Sequence, residues 1–315
     1  MSSRRRILVT GGTGFVGSHL VESLVKIGAT VIVPYRSIDP RSYFITQGLD
    51  KKVILAIGDV TDRRRIVDIV TKYEIETIFH LAAQPIVDTA FNNPVETIST
   101  NVMGTVHILD AAWNSGTVRN IIITSSDKAY GKSSKTYKED HPLRGDHPYE
   151  ASKSAADILT QSYVKTYGAP VVTVRFGNIY GPGDLNMSRI VPGIMESALT
   201  GRELALRSDG TFVRDYVYVG DVVDGYLFIL DNFQTMTGEA YNIASATSLS
   251  VIDLIKQAEI VLKTKIRYAI KNIQKNEIPS QHLDWSKIAK AGWKPKFTLE
   301  MGLLETYTWY KTNKQ

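Results

Sequence analysis

The sequence contains no cysteine. That excludes a disulfide framework, a thiolate nucleophile and any zinc or iron–sulfur centre held by thiolates. A chain of this kind suits a reducing compartment, and a cytoplasmic location is the expectation. Long apolar runs are missing as well. No stretch approaches the ~18 residues that cross a bilayer. The run Arg4-Arg5-Arg6 before Ile7-Leu8-Val9 imitates a secretory signal, but its apolar part ends at once in glycines. No membrane association is expected. Charge of one sign is not in excess, because 37 Lys+Arg against 32 Asp+Glu leaves +5 over 315 residues. The dense basic runs are Arg4-Arg5-Arg6 and Arg63-Arg64-Arg65, which read as solvated ends of elements. A nucleic-acid partner is therefore not expected, whereas a small phosphorylated ligand suits the mild positive charge. The six histidines show no metal-ligand spacing, so no metal is expected. Internal repeats and low-complexity tracts are absent too.

What is present is an ordinary globular composition, 43% hydrophobic and 22% charged, long enough for one large domain or two closely joined ones. Short apolar runs of buried-strand type begin at Ile7, Val31, Val53, Thr77, Ile121 and Val171. Helical patterns lie between most of them, at Leu20 to Ile27, Arg64 to Lys72, Glu96 to Trp113 and Tyr149 to Tyr167. This alternation predicts an α/β fold, a Rossmann-type doubly wound parallel sheet whose strands are apolar because both faces are covered. After residue 176 the rhythm breaks at Gly181-Pro182-Gly183, and shorter helices mix with short strand-like pieces. The expected division is a dinucleotide-binding part at 1–176 and a smaller mixed α/β substrate-binding part at 177–315. Segments near 212–245 are expected to return to the first part.

Glycines at 11, 12, 14 and 17 sit between the first strand and the first helix. In that context they read as a dinucleotide turn: one glycine bends the chain, one admits the pyrophosphate and one lets helix and strand pack closely. The acid that would hold the ribose of NAD belongs about 20 residues further on. Arg36 stands there instead and suits a 2′-phosphate, so the cofactor is NADP or NAD, with NADP favoured. Tyr149 and Lys153 are spaced i,i+4 and share a helix face. A nearby ammonium lowers the tyrosine pKa and makes the phenol a proton acceptor. The fifth strand runs into Ser125-Ser126-Asp127-Lys128, which puts a hydroxyl, a carboxylate and an amine at the ligand-binding end of a sheet.

Taken with Gly58-Asp59-Val60, His80-Leu81-Ala82-Ala83-Gln84, the segment Arg175 to Gly183 and Arg214-Asp215-Tyr216-Val217-Tyr218-Val219, these motifs resemble the extended short-chain dehydrogenases/reductases. Those are the nucleotide-sugar epimerases and dehydratases. The pair Asp127-Lys128 is similar to CDP-glucose 4,6-dehydratases and to the inverting UDP-N-acetylglucosamine 4,6-dehydratases. The segment Leu283-Asp284-Trp285-Ser286-Lys287 is closer to the CDP-glucose 4,6-dehydratase-like enzymes, and Arg214-Asp215-Tyr216-Val217-Tyr218 is the epimerase-like version. The resemblance implies a 4,6-dehydratase acting on an NDP-hexose, with an NDP-sugar 4-epimerase as the alternative and a non-catalytic dinucleotide sensor as a third reading. It implies Ser126, Asp127, Lys128, Tyr149 and Lys153 as catalytic residues. Tyr149 would take the 4-hydroxyl proton, Ser126 would hold the 4-oxygen, Lys128 would remove the C5 proton and Asp127 would protonate the leaving C6 hydroxyl. Cofactor contacts are expected at Gly11, Gly14, Phe15, Val16, Gly17, Arg36, Asp59, Val60, Leu81, Ala82, Ala83, Thr124, Tyr149, Lys153 and Phe176. Substrate contacts are expected at Gln84, Ser126, Asn178, Arg189 and Arg214. A homodimer is expected through 96–113 and 149–167, which carry surplus apolar residues such as Val102, Val106, Ile158 and Leu159.

Overall fold

The computed structural model describes residues 5–133, 135–273 and 278–313, so Arg4 of the first basic run lies outside the described residues. The strands in chain order are β1 (Arg6–Thr10), β2 (Thr30–Tyr35), β3 (Ile54–Ile57), β4 (Thr77–His80), β5 (Asn120–Ser126), β6 (Val171–Phe176), β7 (Asn178–Tyr180), β8 (Leu204–Leu206), β9 (Val213–Tyr218), β10 (Ala240–Ile243), β11 (Ser248–Ser250) and β12 (Tyr268–Ile270). Seven of them form one sheet in the order β10-β6-β5-β4-β1-β2-β3, parallel at every pairing. The order reverses between β1 and β4, and a crevice opens there at the carboxyl ends of the strands. The doubly wound parallel sheet is the fold that the alternating pattern predicts.

The layers follow from the pleat. Ile7 and Val9 pack into one hydrophobic cluster with Leu20, Leu24 and Tyr226, while Leu8 packs into another with Ile69, Ile78 and Ile108. Apolar residues therefore cover both faces of β1, as a central parallel strand requires. The stretch expected as one helix over 96–113 is composite. Pro94–Ile98 and Gly104–Ser115 are α-helical, and Ser99–Met103 between them is a π turn. The wider turn buries Thr100 and Asn101, and the Thr105 hydroxyl donates to the Asn101 carbonyl at 2.7 Å. Helix Pro148–Tyr167 starts sharply because Pro148 occupies its first turn and the His147 side chain accepts from Tyr149 N–H.

Beyond β6 the chain builds a three-stranded sheet, β11-β9-β7, and a two-stranded one, β12-β8. Helices Ile190–Thr200, Val251–Leu262 and Leu299–Thr312 pack there around Ile194, Met195, Leu254 and Leu303. β10 leaves this region to pair with β6. A buried network joins them: Arg175 on β6 pairs with Asp157 at 2.8 Å and donates to the Tyr130 hydroxyl at 2.7 Å, which in turn donates to Asn242 on β10. No helix among the described residues is long and apolar enough to cross a membrane.

Candidate active site

A cavity of about 1320 Å³ runs along the carboxyl ends of the strands. Its first half is built by the glycine turn. Gly11 has φ +70, and a Cβ there would lie 2.7 Å from the Ala82 nitrogen. A Cβ on Gly17 would lie 2.1 Å from the Gly11 carbonyl oxygen. Helix Phe15–Lys26 begins at Gly14 with no side-chain cap, which leaves its first N–H groups and its positive dipole end directed at the crevice. These features fit a dinucleotide pyrophosphate. Every residue expected to contact the cofactor, from Gly11 through Asp59 and Leu81 to Phe176, lines this one cavity. The Ser125 hydroxyl, buried and without a partner among the described residues, lines it too. Arg36 reaches the cavity at the end of β2 and pairs with Asp59 at 3.2 Å.

The second half holds the reacting groups. Ser126, Lys128, Tyr149 and Lys153 line it, as do Asn178, Arg189 and Arg214. Asp127 does not. It is buried behind the wall, where its carboxylate accepts from the Ser126 hydroxyl at 3.0 Å and from the Lys128 ammonium at 3.4 Å. Gln84 also lies off the cavity. Its side chain accepts from Ile86 N–H at 2.5 Å and donates to the Ile86 carbonyl and the Thr97 hydroxyl, so it braces the segment after β4. Arg189 pairs with Asp184 and donates to the Ile179 carbonyl at 2.6 Å.

The electrostatics of Tyr149 differ from the sequence expectation. Burial, aided by the Asp127 charge, pushes the Tyr149 phenol up to about 12, against a hydrogen bond with Ser126 and the Arg189 charge. Lys153 is not among the groups that act on it. Its ammonium donates to the Thr124 carbonyl at 3.1 Å, and burial lowers it to about 8, with Asp157 opposing. The i,i+4 spacing aligns the two residues, but Lys153 reaches the end of β5 rather than the phenol.

The chain resembles known proteins over almost its whole length. Residues 7–244 match the model of the NAD dependent epimerase/dehydratase family. The chain belongs to this family. It is 30% identical to the human dTDP-D-glucose 4,6-dehydratase, over 98% of this chain and 91% of that one. It is also 30% identical to a trifunctional UDP-glucose 4,6-dehydratase/UDP-4-keto-6-deoxy-D-glucose 3,5-epimerase/UDP-4-keto-L-rhamnose-reductase of Arabidopsis thaliana, and there it spans 47% of the relative's length, about half. Among solved structures, a dTDP-glucose 4,6-dehydratase from Streptomyces venezuelae with NAD bound superposes with a TM-score of 0.88 at 29% identity, covering 98% of both chains. A UDP-glucose 4-epimerase from Thermotoga maritima with UDP-glucose gives 0.89 at 29% identity, covering 98% of this chain and 100% of that one.

Within this epimerase/dehydratase framework, two bracing residues were given no role by the sequence: Asn101, which belongs to no motif, and His80, which opens the segment His80 to Gln84. Asn101, brought inward by the π turn, accepts from Gln84 N–H at 2.7 Å and donates to Ser152 at 2.9 Å, tying the loop after β4 to the Tyr149 helix. His80 is neutral: burial, with the Lys153 charge, lowers it to about 3. It stands between Thr10 at 2.7 Å and Thr105 at 3.1 Å. Thr105 spends its own proton on Asn101, so it accepts from His80 Nε2–H while Nδ1 accepts from Thr10. The glycine turn and the π turn are thereby linked through one imidazole.

Proposed function

We propose that this chain is an NAD(P)-dependent nucleotide-sugar 4,6-dehydratase, converting an NDP-hexose to an NDP-4-keto-6-deoxyhexose. The observation that carries the reading is the meeting of the glycine turn with Tyr149, Lys153, Ser126 and Lys128 in a single cavity. The dehydratases among the relatives support it. Gly11, Gly14, Gly17 and Arg36 would hold the dinucleotide, which would supply a hydride acceptor for C4 and a hydride donor for C6, so no second substrate is consumed. Tyr149 accepts the proton of the sugar 4-hydroxyl, and Ser126 hydrogen-bonds the 4-oxygen. The 4-keto group then acidifies the C5 proton, which Lys128 removes in its unprotonated form. Asp127, behind the cavity wall in contact with Lys128, takes the ammonium proton that frees Lys128 to act and returns it as Lys128 passes the C5 proton to the C6 hydroxyl, which leaves as water. In this reading 1–176 carries the dinucleotide and 177–315 most of the nucleotide sugar.

The similarity to the Thermotoga epimerase supports a second reading, a 4-epimerase that uses Tyr149, Lys153 and Ser126 without elimination. A panel of CDP-, GDP-, UDP- and dTDP-hexoses with NAD or NADP separates the two. A 4-keto-6-deoxy product establishes the dehydratase and names its base, whereas an inverted 4-hydroxyl establishes the epimerase.

Arg36, at the end of β2, supports NADP over NAD. The exposed apolar residues Val95, Ile98, Met103, Trp113, Ile158 and Tyr167 support a homodimer through these helices, and the Trp113 and Tyr167 rings lie 5.5 Å apart. Sedimentation at micromolar concentration reads the dimer directly, and a monomer counts against it. We place the reaction in the cytoplasm, in keeping with a cysteine-free chain.

A further inference from the structure

Gln281 is 2% exposed, and its carboxamide nitrogen is buried with no hydrogen-bond partner among the described residues. It nevertheless lines the large cavity. A buried amide left without a partner loses the hydration it had in the unfolded chain and recovers nothing, which argues for an acceptor that arrives from outside the chain. The surrounding backbone leaves the side chain little room to seek one elsewhere. Val213 N–H donates to the Pro279 carbonyl at 3.0 Å, and Gln281 N–H donates to the Val213 carbonyl at 3.2 Å. Tyr137 N–H donates to the His282 carbonyl at 2.8 Å, and Asp284 N–H donates to the Tyr137 carbonyl at 2.9 Å. The Asp215 carboxylate accepts from Leu283 N–H at 2.7 Å and contacts both His282 and Ser248. The segment 279–284 is thus pinned from β9 on one side and from Tyr137 on the other.

β9 also brings a guanidinium to this segment. The Arg214 guanidinium donates to the Val213 and Pro279 carbonyls, at 2.8 and 3.4 Å, so it lies beside the start of the same segment. Arg214 lines the cavity too. The cavity wall thus carries a guanidinium and an amide N–H on two strands of backbone that are bonded to each other, and together they offer two donors. A phosphoryl oxygen, which only accepts, matches such a pair better than a sugar hydroxyl, which also needs to donate.

We infer that Gln281 is a ligand-binding residue that donates to a diphosphate oxygen of the nucleotide sugar, alongside Arg214. The inference rests on the nucleotide-sugar reading of the cavity and adds a contact that no motif marks. Calorimetric titration of the intact protein with UDP, dTDP and CDP, and separately with the corresponding NDP-glucose, tests it. Gln281→Met keeps the length and removes the donor. Gln281→Glu keeps the shape and adds a repelling charge. Both should weaken the nucleoside diphosphate that the parent binds by about ten- to a hundred-fold, the scale of a hydrogen bond to a charged group. The NDP-glucose should weaken by the same factor and NAD by none. The ligand-free Gln281→Met protein should melt no lower than the parent, because an unpartnered polar group has been removed. Unchanged diphosphate affinity in both variants overturns the inference while leaving the dehydratase reading intact. Loss confined to NDP-glucose overturns it in favour of a sugar contact. A parent that binds the diphosphate through Gln281 but forms no 4-keto product upholds this contact and sinks the dehydratase.

Discussion

Burial raises the Tyr149 phenol, so the residue accepts the 4-hydroxyl proton only as phenolate, and Ser126 and Arg189 are the groups that favour that form. Replacing Tyr149 with Phe removes the proton acceptor and leaves the packing, so turnover should fall by at least ~10²-fold. Near-parental turnover in that variant would remove Tyr149 from the mechanism. Asp127 is one of the groups that raise the phenol, so Asp127→Asn should shift the rising limb of the pH profile for cofactor reduction by NDP-hexose toward lower pH. The same variant should stop C6 hydroxyl loss, and Lys128→Ala should stop C5 solvent exchange, while both still reduce the cofactor. If either keeps forming 4-keto-6-deoxy sugar at the parental rate, the assignment of this pair to elimination fails. Arg36→Ala should weaken NADP more than NAD in equilibrium binding, and an equal loss of both would argue against a 2′-phosphate contact. Motif spacing made Tyr149, Lys153, Ser126 and the glycines legible in the sequence because each is tied to a strand end or a helix face. It could not reveal which way Lys153 turns, nor that Gln84 braces a loop, because both depend on partners far along the chain.

The glycine turn works because backbone passes where side chains would stand. Gly17→Ala sets a methyl 2.1 Å from the Gly11 carbonyl oxygen, and the turn must open to accept it. Dinucleotide binding, followed by fluorescence titration, should be lost while the far-ultraviolet circular dichroism stays native; unimpaired binding would show that the turn is not the cradle. The Tyr149 helix is anchored by a different device, the Asp157–Arg175 pair, in which neither side chain is more than 1% exposed. Asp157→Ala strands a buried guanidinium and should cost about 3–5 kcal/mol in urea unfolding, the scale for breaking a buried pair from one side. A cost below about 1 kcal/mol, as for an exposed pair, would contradict that burial. The strands of the main sheet are legible because burial on both faces leaves uninterrupted apolar runs. β7, β8, β11 and β12 have three residues each, too short for any periodicity to register. The π turn at Ser99–Met103 is equally hidden, since its apolar positions still suit a helix.

For the molecule as a whole, acid should be the weak side. His80 is held down to about 3 from an ordinary value of 6.5, so the unfolded chain takes up that proton first. The stability this buried neutral ring allows is complete above about 6.5 and drains away as the pH falls toward 3. Lys153, lowered from 10.5 to about 8, acts in the same sense across the alkaline window, where stability should fall as the pH drops from 10.5 to 8. Urea midpoints measured across the acid range should decline less steeply in His80→Asn than in the parent. Parallel declines would mean that the ring is protonated alike in both states. The pairing of β10 with β6 has a consequence of another kind. A ribosome delivers β1 to β6, with the glycine turn, Tyr149 and Lys153, well before residues 240–243 emerge. Until then the nascent sheet carries a row of unpaired amides along β6, and Tyr130 lacks its acceptor Asn242. Such an edge is a template for the wrong strand. The interval between synthesis of Phe176 and Ala240 is therefore the period in which the growing chain most needs a chaperone, and slowing translation there should lower the yield of native protein more than slowing it anywhere later.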